Sequence, residues 1–254
     1  EPDRGLAPQR YRVQPPRFIA SGPTPPEHFA RNAETAGGAE PSPIFPTPLS
    51  LQHGAGELRW RHLPTLQAGP GTEGAARLAR PWLQPFFDKK PAGAQPALQL
   101  AIGPVPGQAS PEAYSLHISA RGAQIRGASA VGVARGLQSL RALLPAVPNP
   151  AQGVTLPALA VVDAPQFEHR ALMLDVARHF HPKATVLRVL ELMSRFKLNV
   201  LHLHLTDDEG WRLAIPGLPE LTDFGARRGH SADPWRHLPP AHGSGPDRSE
   251  ERRV

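Results

Sequence analysis

The sequence predicts an α/β protein in which a strand–helix–strand unit follows a small α+β domain. In "AYSLHIS" (113–119), Tyr114, Leu116 and Ile118 alternate with Ser115, His117 and Ser119, the period of a half-buried strand. In "SAVGVARGLQSLRALLPA" (129–146), Val133, Leu137, Leu140 and Leu144 recur at helical spacing. The apolar "ALMLDV" (171–176), a helical stretch and the alternating "NVLHLHL" (199–205) then follow within one βαβ length, which favours parallel strands.

At 254 residues the chain is long enough for one large or two ordinary domains, and its 40% hydrophobic content allows a sizeable core. With 32 Pro and 23 Gly, the chain stays below the level that signals wholesale disorder, and these residues crowd the two ends. Cysteine is absent, which removes disulfides, thiolate catalysis and Cys-based zinc sites. The net charge of +6 comes mostly from scattered Arg without dense runs or interleaved aromatics, so nucleic acid is not an expected partner. No stretch approaches the ~20 apolar residues of a membrane span. No signal peptide is visible at the Glu1 start.

Residues 1–42 read as an irregular lead-in, where prolines in "QPPRF" and "SGPTPPEHFARNAE" leave room for one or two helical turns in "PPEHFARNAE". The α+β domain is assigned to 43–162. In it "ALQLAIG" (97–103) reads as a strand, and Arg121-Gly122 turns "AYSLHIS" back into "AQIRGAS" as a hairpin. The following helix ends before Pro145. The βαβ region is assigned to 163–254. Its helix opens at Pro182 and shows an apolar stripe of Val186, Leu187, Leu190, Met193 and Phe196. From Arg227 onward the sequence has no clear period and reads as a long loop.

Both βαβ strands end in residues capable of chemistry, Asp175 to His181 after the first and Asp207 to Trp211 after the second. In β/α folds the carboxyl ends of strands are where sites are built. Asp175, Asp207 and Asp208 can supply acid/base chemistry or bind hydroxyls, or they can cap a helix and face water. His179/His181 and His202/His204 form His-x-His pairs. On a strand the latter two share a face, as metal ligands would, but buried imidazoles hydrogen-bonded inside a barrel are the preferred reading. Arg178, just past a strand end, suits a bidentate clamp or a surface ion pair. "GARRGH" and "GVARG" lack phosphate-loop spacing and read as structural.

Two long motifs at this point become recognisable. "FEHRALMLDVARHFHP" (167–182), then a helix, then "FKLNVLHLHLTDDEGWRLAI" (196–215) resembles the opening of the catalytic barrel of family 20 glycoside hydrolases, the β-N-acetylhexosaminidases. "IFPTPLSL" (44–51) and residues 113–144 are similar to the small domain that precedes that barrel. "PEHFARNAE" (26–34) is similar to the tail of an extra N-terminal domain of chitobiase-like members. The resemblance implies a (β/α)8 TIM barrel preceded by an α+β domain with an antiparallel sheet and a packed helix. It also implies a glycan substrate, chitooligosaccharide or peptidoglycan fragment, with a terminal N-acetylglucosamine or N-acetylgalactosamine. By the same resemblance Arg178 binds that sugar's hydroxyls, and Asp207 supports the site from behind. Asp175, His204 and Trp211 shape the pocket without reacting. No metal or organic cofactor is implied, and a periplasmic or secreted location is expected.

In that family the substrate's acetamido oxygen attacks the anomeric carbon, an exception to two-carboxylate hydrolysis. A glutamic acid of raised pKa protonates the leaving oxygen, and the aspartate before it orients the acetamido group. That Asp-Glu pair belongs to a later strand. Asp208-Glu209 is the only Asp-Glu dipeptide after residue 163 and belongs to the earlier motif. A full barrel takes about 250 residues, whereas 92 run from Asp163 to Val254. The expectation is therefore a chain cut short, with the catalytic pair beyond Val254, inactive by itself and poorly soluble. Two other readings are a non-catalytic carbohydrate-binding fragment and a metal-dependent hydrolase built on the His-x-His pairs.

Overall fold

The computed structural model describes residues 26, 27, 30, 42–88, 95–208 and 210–227. The chain divides into two units, Glu1–Pro41 and Ser42–Val254. Within the first, Pro26, Glu27 and Ala30 are helical, and the rest of the expected helical turn lies outside the described residues. The long loop expected after Arg227 lies outside them too.

The second unit opens with β1 (Ser50–Trp60) and a short β2 (Leu66–Ala68), then α1 (Glu73–Leu83) and β3 (Ala97–Ile102). Next come β4 (Tyr114–Ser119), β5 (Gly122–Gly127), α2 (Ala130–Ala142) and β6 (Val154–Asp163). The six strands form one sheet in the order β1-β6-β4-β5-β3-β2. The alternation in β4 places Tyr114, Leu116 and Ile118 at 1% exposure each, and the Arg121-Gly122 hairpin pairs Ser119 with Gly122. Ser129 caps α2, its hydroxyl accepting from Val131 N at 3.1 Å and Gly132 N at 3.4 Å. Val133, Leu137 and Leu140 of α2 are buried against the sheet, with Leu58, Leu83, Leu98 and Ile125 in the same core. Each such side chain contributes about 1.5–3 kcal/mol by leaving water.

One expectation is corrected. The sheet is mixed, because β3 runs parallel to both β2 and β5. The physical reason is α1, whose pattern the sequence reading missed. A helical crossover between β2 and β3 returns the chain to the same end of the sheet, so the two strands must be parallel. Pro81 inside α1 and Gly74 near its start obscure the helical signal.

After β6 the chain enters β7 (Ala171–Asp175), α3 (Lys183–Arg195) and β8 (Val200–His204). β7 and β8 pair in parallel, in register from Ala171↔Val200 to Asp175↔His204. Pro182 opens α3 as its N-cap. Of the expected stripe, Val186 and Met193 are buried, while Leu187, Leu190 and Phe196 stay more than two-fifths exposed. The helix ends in a Schellman turn. Leu198 N bonds Met193 O at 2.9 Å and Lys197 N bonds Ser194 O at 3.1 Å. A short hairpin follows, β9 (Thr206–Asp207) with β10 (Gly210–Trp211), and then α4 (Glu220–Asp223). Among the described residues no helix is long and apolar enough to cross a membrane.

Candidate functional site

Parallel pairing brings the carboxyl ends of β7 and β8 together. Their register sets Asp175 opposite His204. The chain leaving β7 turns at once, with Val176 N and Ala177 N both bonding His204 O at 3.2 Å. Asp175 Oδ1 accepts from Ala177 N at 3.1 Å and Arg178 N at 2.9 Å, so the carboxylate itself folds the turn that presents Arg178.

Four predicted residues meet here. Arg178 Nε lies 2.6 Å from Asp175 Oδ2 and 3.3 Å from Asp207 Oδ2. His204 Nε2 lies 2.8 Å from the same Asp207 oxygen. Asp208 N donates to Asp207 Oδ1 at 2.7 Å. Nε is the guanidinium atom that faces both carboxylates, and among the described residues neither terminal nitrogen of the half-exposed Arg178 donates a hydrogen bond. That fork of N–H donors matches two adjacent hydroxyls.

The electrostatics follow from these contacts. Burial pushes the Asp175 carboxyl up. The N–H and guanidinium of Arg178 outweigh that and hold it below the usual carboxylate range. The hydrogen bond from His204, then that from Asp208 N, hold Asp207 low as well, with the Arg178 charge adding to them. Both carboxylates are therefore ionised at neutral pH. Neither is suited to donate a proton, and their part is to aim the cation between them.

The other candidate side chains lie outside this group. Asp208 is exposed, and Glu209 lies outside the described residues. His202 is exposed, and the rings of His179 and His181 meet edge to face at 5.1 Å. The two His-x-His pairs do not converge. The only cluster with metal-ligand spacing among the described residues is Asp175, His204 and Asp207, within 4.8 Å of one another. The Arg178 guanidinium already bridges those two carboxylates, which disfavours a cation there. Trp211 lines a groove of about 410 Å³ with Asp207, Glu220, Leu221 and Phe224.

Arg212 does not stand out in the sequence. It is 3% exposed, and its guanidinium donates to Val176 O at 2.8 Å, Ala177 O at 2.9 Å and Ala226 O at 2.7 Å. It also lies over the Phe180 ring at 5.4 Å. It thereby ties the Arg178 turn to the segment after α4. The one signal was a lone Arg between apolar residues in "GWRLAI", a pattern that also fits an exposed strand position.

The chain matches the family model "Glycosyl hydrolase family 20, domain 2" over residues 41–164 and "Glycosyl hydrolase family 20, catalytic domain" over residues 167–245. It is 35% identical over 226 residues to the N,N'-diacetylchitobiase of Vibrio harveyi, covering 86% of this chain and 24% of that one. It is 41% identical over 144 residues to beta-hexosaminidase B of Pseudoalteromonas piscicida, covering 57% of this chain and 18% of that one. The chain thus spans about a quarter or less of these relatives. Among solved structures it is similar to the exo beta-N-acetylglucosaminidase of Vibrio harveyi in complex with N-acetylglucosamine, with a TM-score of 0.68 and 27% identity over 82% of this chain and 33% of that one. It is also similar to the beta-N-acetylhexosaminidase of Streptomyces coelicolor, with a TM-score of 0.63 and 29% identity over 72% of this chain and 39% of that one.

Proposed function

From the premise that the chain belongs to glycosyl hydrolase family 20, we propose that it forms the hydroxyl-binding side of a β-N-acetylhexosaminidase site. The fold is correspondingly the opening of a (β/α)8 barrel behind its mixed-sheet domain. The substrate class is β-linked glycans ending in N-acetylglucosamine or N-acetylgalactosamine, such as chitooligosaccharides or peptidoglycan fragments. Work on such glycans suits a periplasmic or secreted setting.

The observation that carries this reading is the aimed guanidinium. Arg178 is fixed through Nε by Asp175 and Asp207, at the strand ends where barrel enzymes bind substrate, with two nitrogens left over for vicinal hydroxyls. His204 holds the same Asp207 oxygen that faces Arg178. The acid that protonates the leaving oxygen is not among these residues, since Asp175 and Asp207 are both held in their ionised form.

A chimera tests the reading. Residues 42–227 replace their counterparts in the Vibrio harveyi enzyme, and turnover of a chromogenic N-acetyl-β-glucosaminide is followed. The chimera is expected to be active. Arg178→Lys, which loses the fork while keeping the charge, is expected to lower kcat/KM about 100-fold, in line with the loss of about two charge-assisted hydrogen bonds. The 254-residue chain alone is expected to show no turnover. Unchanged kinetics in the Arg178→Lys chimera would sink the assignment.

A further inference from the structure

Lys197 sits where α3 ends, at the Schellman position that glycine usually fills, with a left-handed φ of 59°. A lysine kept at that conformational cost points to a use for its ammonium. Only 8% of the residue is exposed. Nζ donates to Tyr114 Oη at 2.8 Å and to Asp163 Oδ2 at 2.9 Å. Beside it Glu112 Oε2 accepts from Arg135 Nε at 2.8 Å and Arg170 Nη2 at 2.5 Å.

These five charged side chains are each between 10% and 16% exposed. Tyr114 adds no charge, because burial and the neighbouring Asp163 carboxylate push its phenol far above the ordinary range. Three cations therefore face two carboxylates, and one positive charge has no counterion within the group. Burial lowers the pKa of Lys197 by more than its contact with Asp163 restores, and Arg135 and Arg170 add to the lowering. An unbalanced buried charge is costly unless something neutralises it.

All five line one cavity of about 230 Å³. Its remaining walls include Pro46, Leu49, Pro165, Phe167 and Phe196. The space is enough for several waters or one molecule of a few carbons. Lys197 precedes β8, so the cavity lies at the strand end away from His204 and is separate from the Arg178 site.

We propose that this cavity binds a small aliphatic monocarboxylate, its carboxylate neutralising the excess charge of Lys197, Arg135 and Arg170 and its tail packing on the apolar walls. A single negative charge matches the imbalance. A neutral sugar leaves it in place, and a phosphate dianion overshoots it. Chloride supplies the charge but leaves the apolar walls unused.

The test is equilibrium dialysis of the purified chain at micromolar concentration against labelled butyrate, at constant ionic strength. Saturable binding of one butyrate per chain is expected, with chloride competing at least tenfold more weakly. Ala164→Phe fills the cavity from its lining and leaves every charge intact, and it is expected to weaken binding at least tenfold. Lys197→Met is expected to abolish it. Should Lys197→Met fail to fold, Ala164→Phe decides alone. No saturable binding, equal competition by chloride, or binding untouched by Ala164→Phe would each overturn the proposal.

Discussion

Arg212 shows how one side chain can set a site it does not enter. Its guanidinium gives N–H donors to three carbonyls on two segments, and removal would leave those buried acceptors unsatisfied. Arg212→Met is expected to destabilise the chain by at least about 3 kcal/mol, from hydrogen bonds to a charged group worth about 1.5–3 kcal/mol each. Arg212→Lys should rescue little, because one ammonium cannot span three carbonyls. Urea denaturation checks this, and a loss below about 1 kcal/mol for Arg212→Met would refute it. Glu112 gives the acid response. Burial raises its pKa, but the hydrogen bonds and charges of Arg170 and Arg135 outweigh that and hold it below the usual value. A carboxyl depressed in the folded state contributes stability above its unfolded pKa of about 4.3 and loses it as pH falls through the folded value. Glu112→Gln should therefore flatten the stability loss between about pH 4.3 and the folded pKa. Wild type and variant losing stability in parallel would exclude this role. Asp175, Arg178, His204 and Asp207 could be singled out in the sequence because they end or closely follow two strands whose ends are clear, and because they lie in the two long motifs. Arg212 and Lys197 were not, since their partners are main-chain carbonyls or residues 34 and more positions away, which no local pattern encodes.

The elements divide along similar lines. β3, β4, β5, α2, α3 and β8 carry their own period, β7 is a short apolar run with a polar end, and all seven were readable. β1, β2, α1 and β6 were not. β6 holds Pro157 and runs nearly continuously apolar from Leu156 to Val162, and β1 carries Gly54 and Gly56 at a register shift. Such strands take their shape from their sheet neighbours rather than from alternation. The glycines of "GVARG" read as structural, and the packing of α2 says why. A Cβ on Gly136 would stand 2.5 Å from Ile125 Cγ2 and 3.0 Å from Tyr114 Cδ2. On Gly132 it would stand 2.3 Å from Ala113 O. Alanine gains about 1 kcal/mol of helix propensity over glycine, while overpacking costs about 1–3 kcal/mol. At Gly136 the clash meets two fully buried side chains, so Gly136→Ala is expected to lower stability by up to about 2 kcal/mol. A thermal melt showing stabilisation would mean the helix can shift away from the sheet at little cost.

At the scale of the whole molecule the two halves differ in how completely they close. The six-stranded sheet buries a continuous core beneath α1 and α2. The β7–β8 pair has no third strand among the described residues. Leu172 and Met173 of β7, Leu203 of β8 and Leu187 and Leu190 of α3 are between 36% and 54% exposed. Exposed strand edges flanked by apolar side chains are templates for pairing with another chain. Lys183, Arg188 and Arg195 on α3 oppose this by like-charge repulsion, which salt screens. The 254-residue chain is therefore expected to associate reversibly as concentration rises from about 1 to 100 µM, and more strongly as salt is added. Leu203→Lys places a charge within the edge strand β8 and should shift association to at least tenfold higher concentration, without loss of the folded sheet domain. Sedimentation velocity across that range, with circular dichroism to confirm folding, reads both effects. A monomer at 100 µM in high salt would mean that the open strand pair is covered, and the exposure of Leu172, Met173 and Leu203 would then have no consequence for assembly.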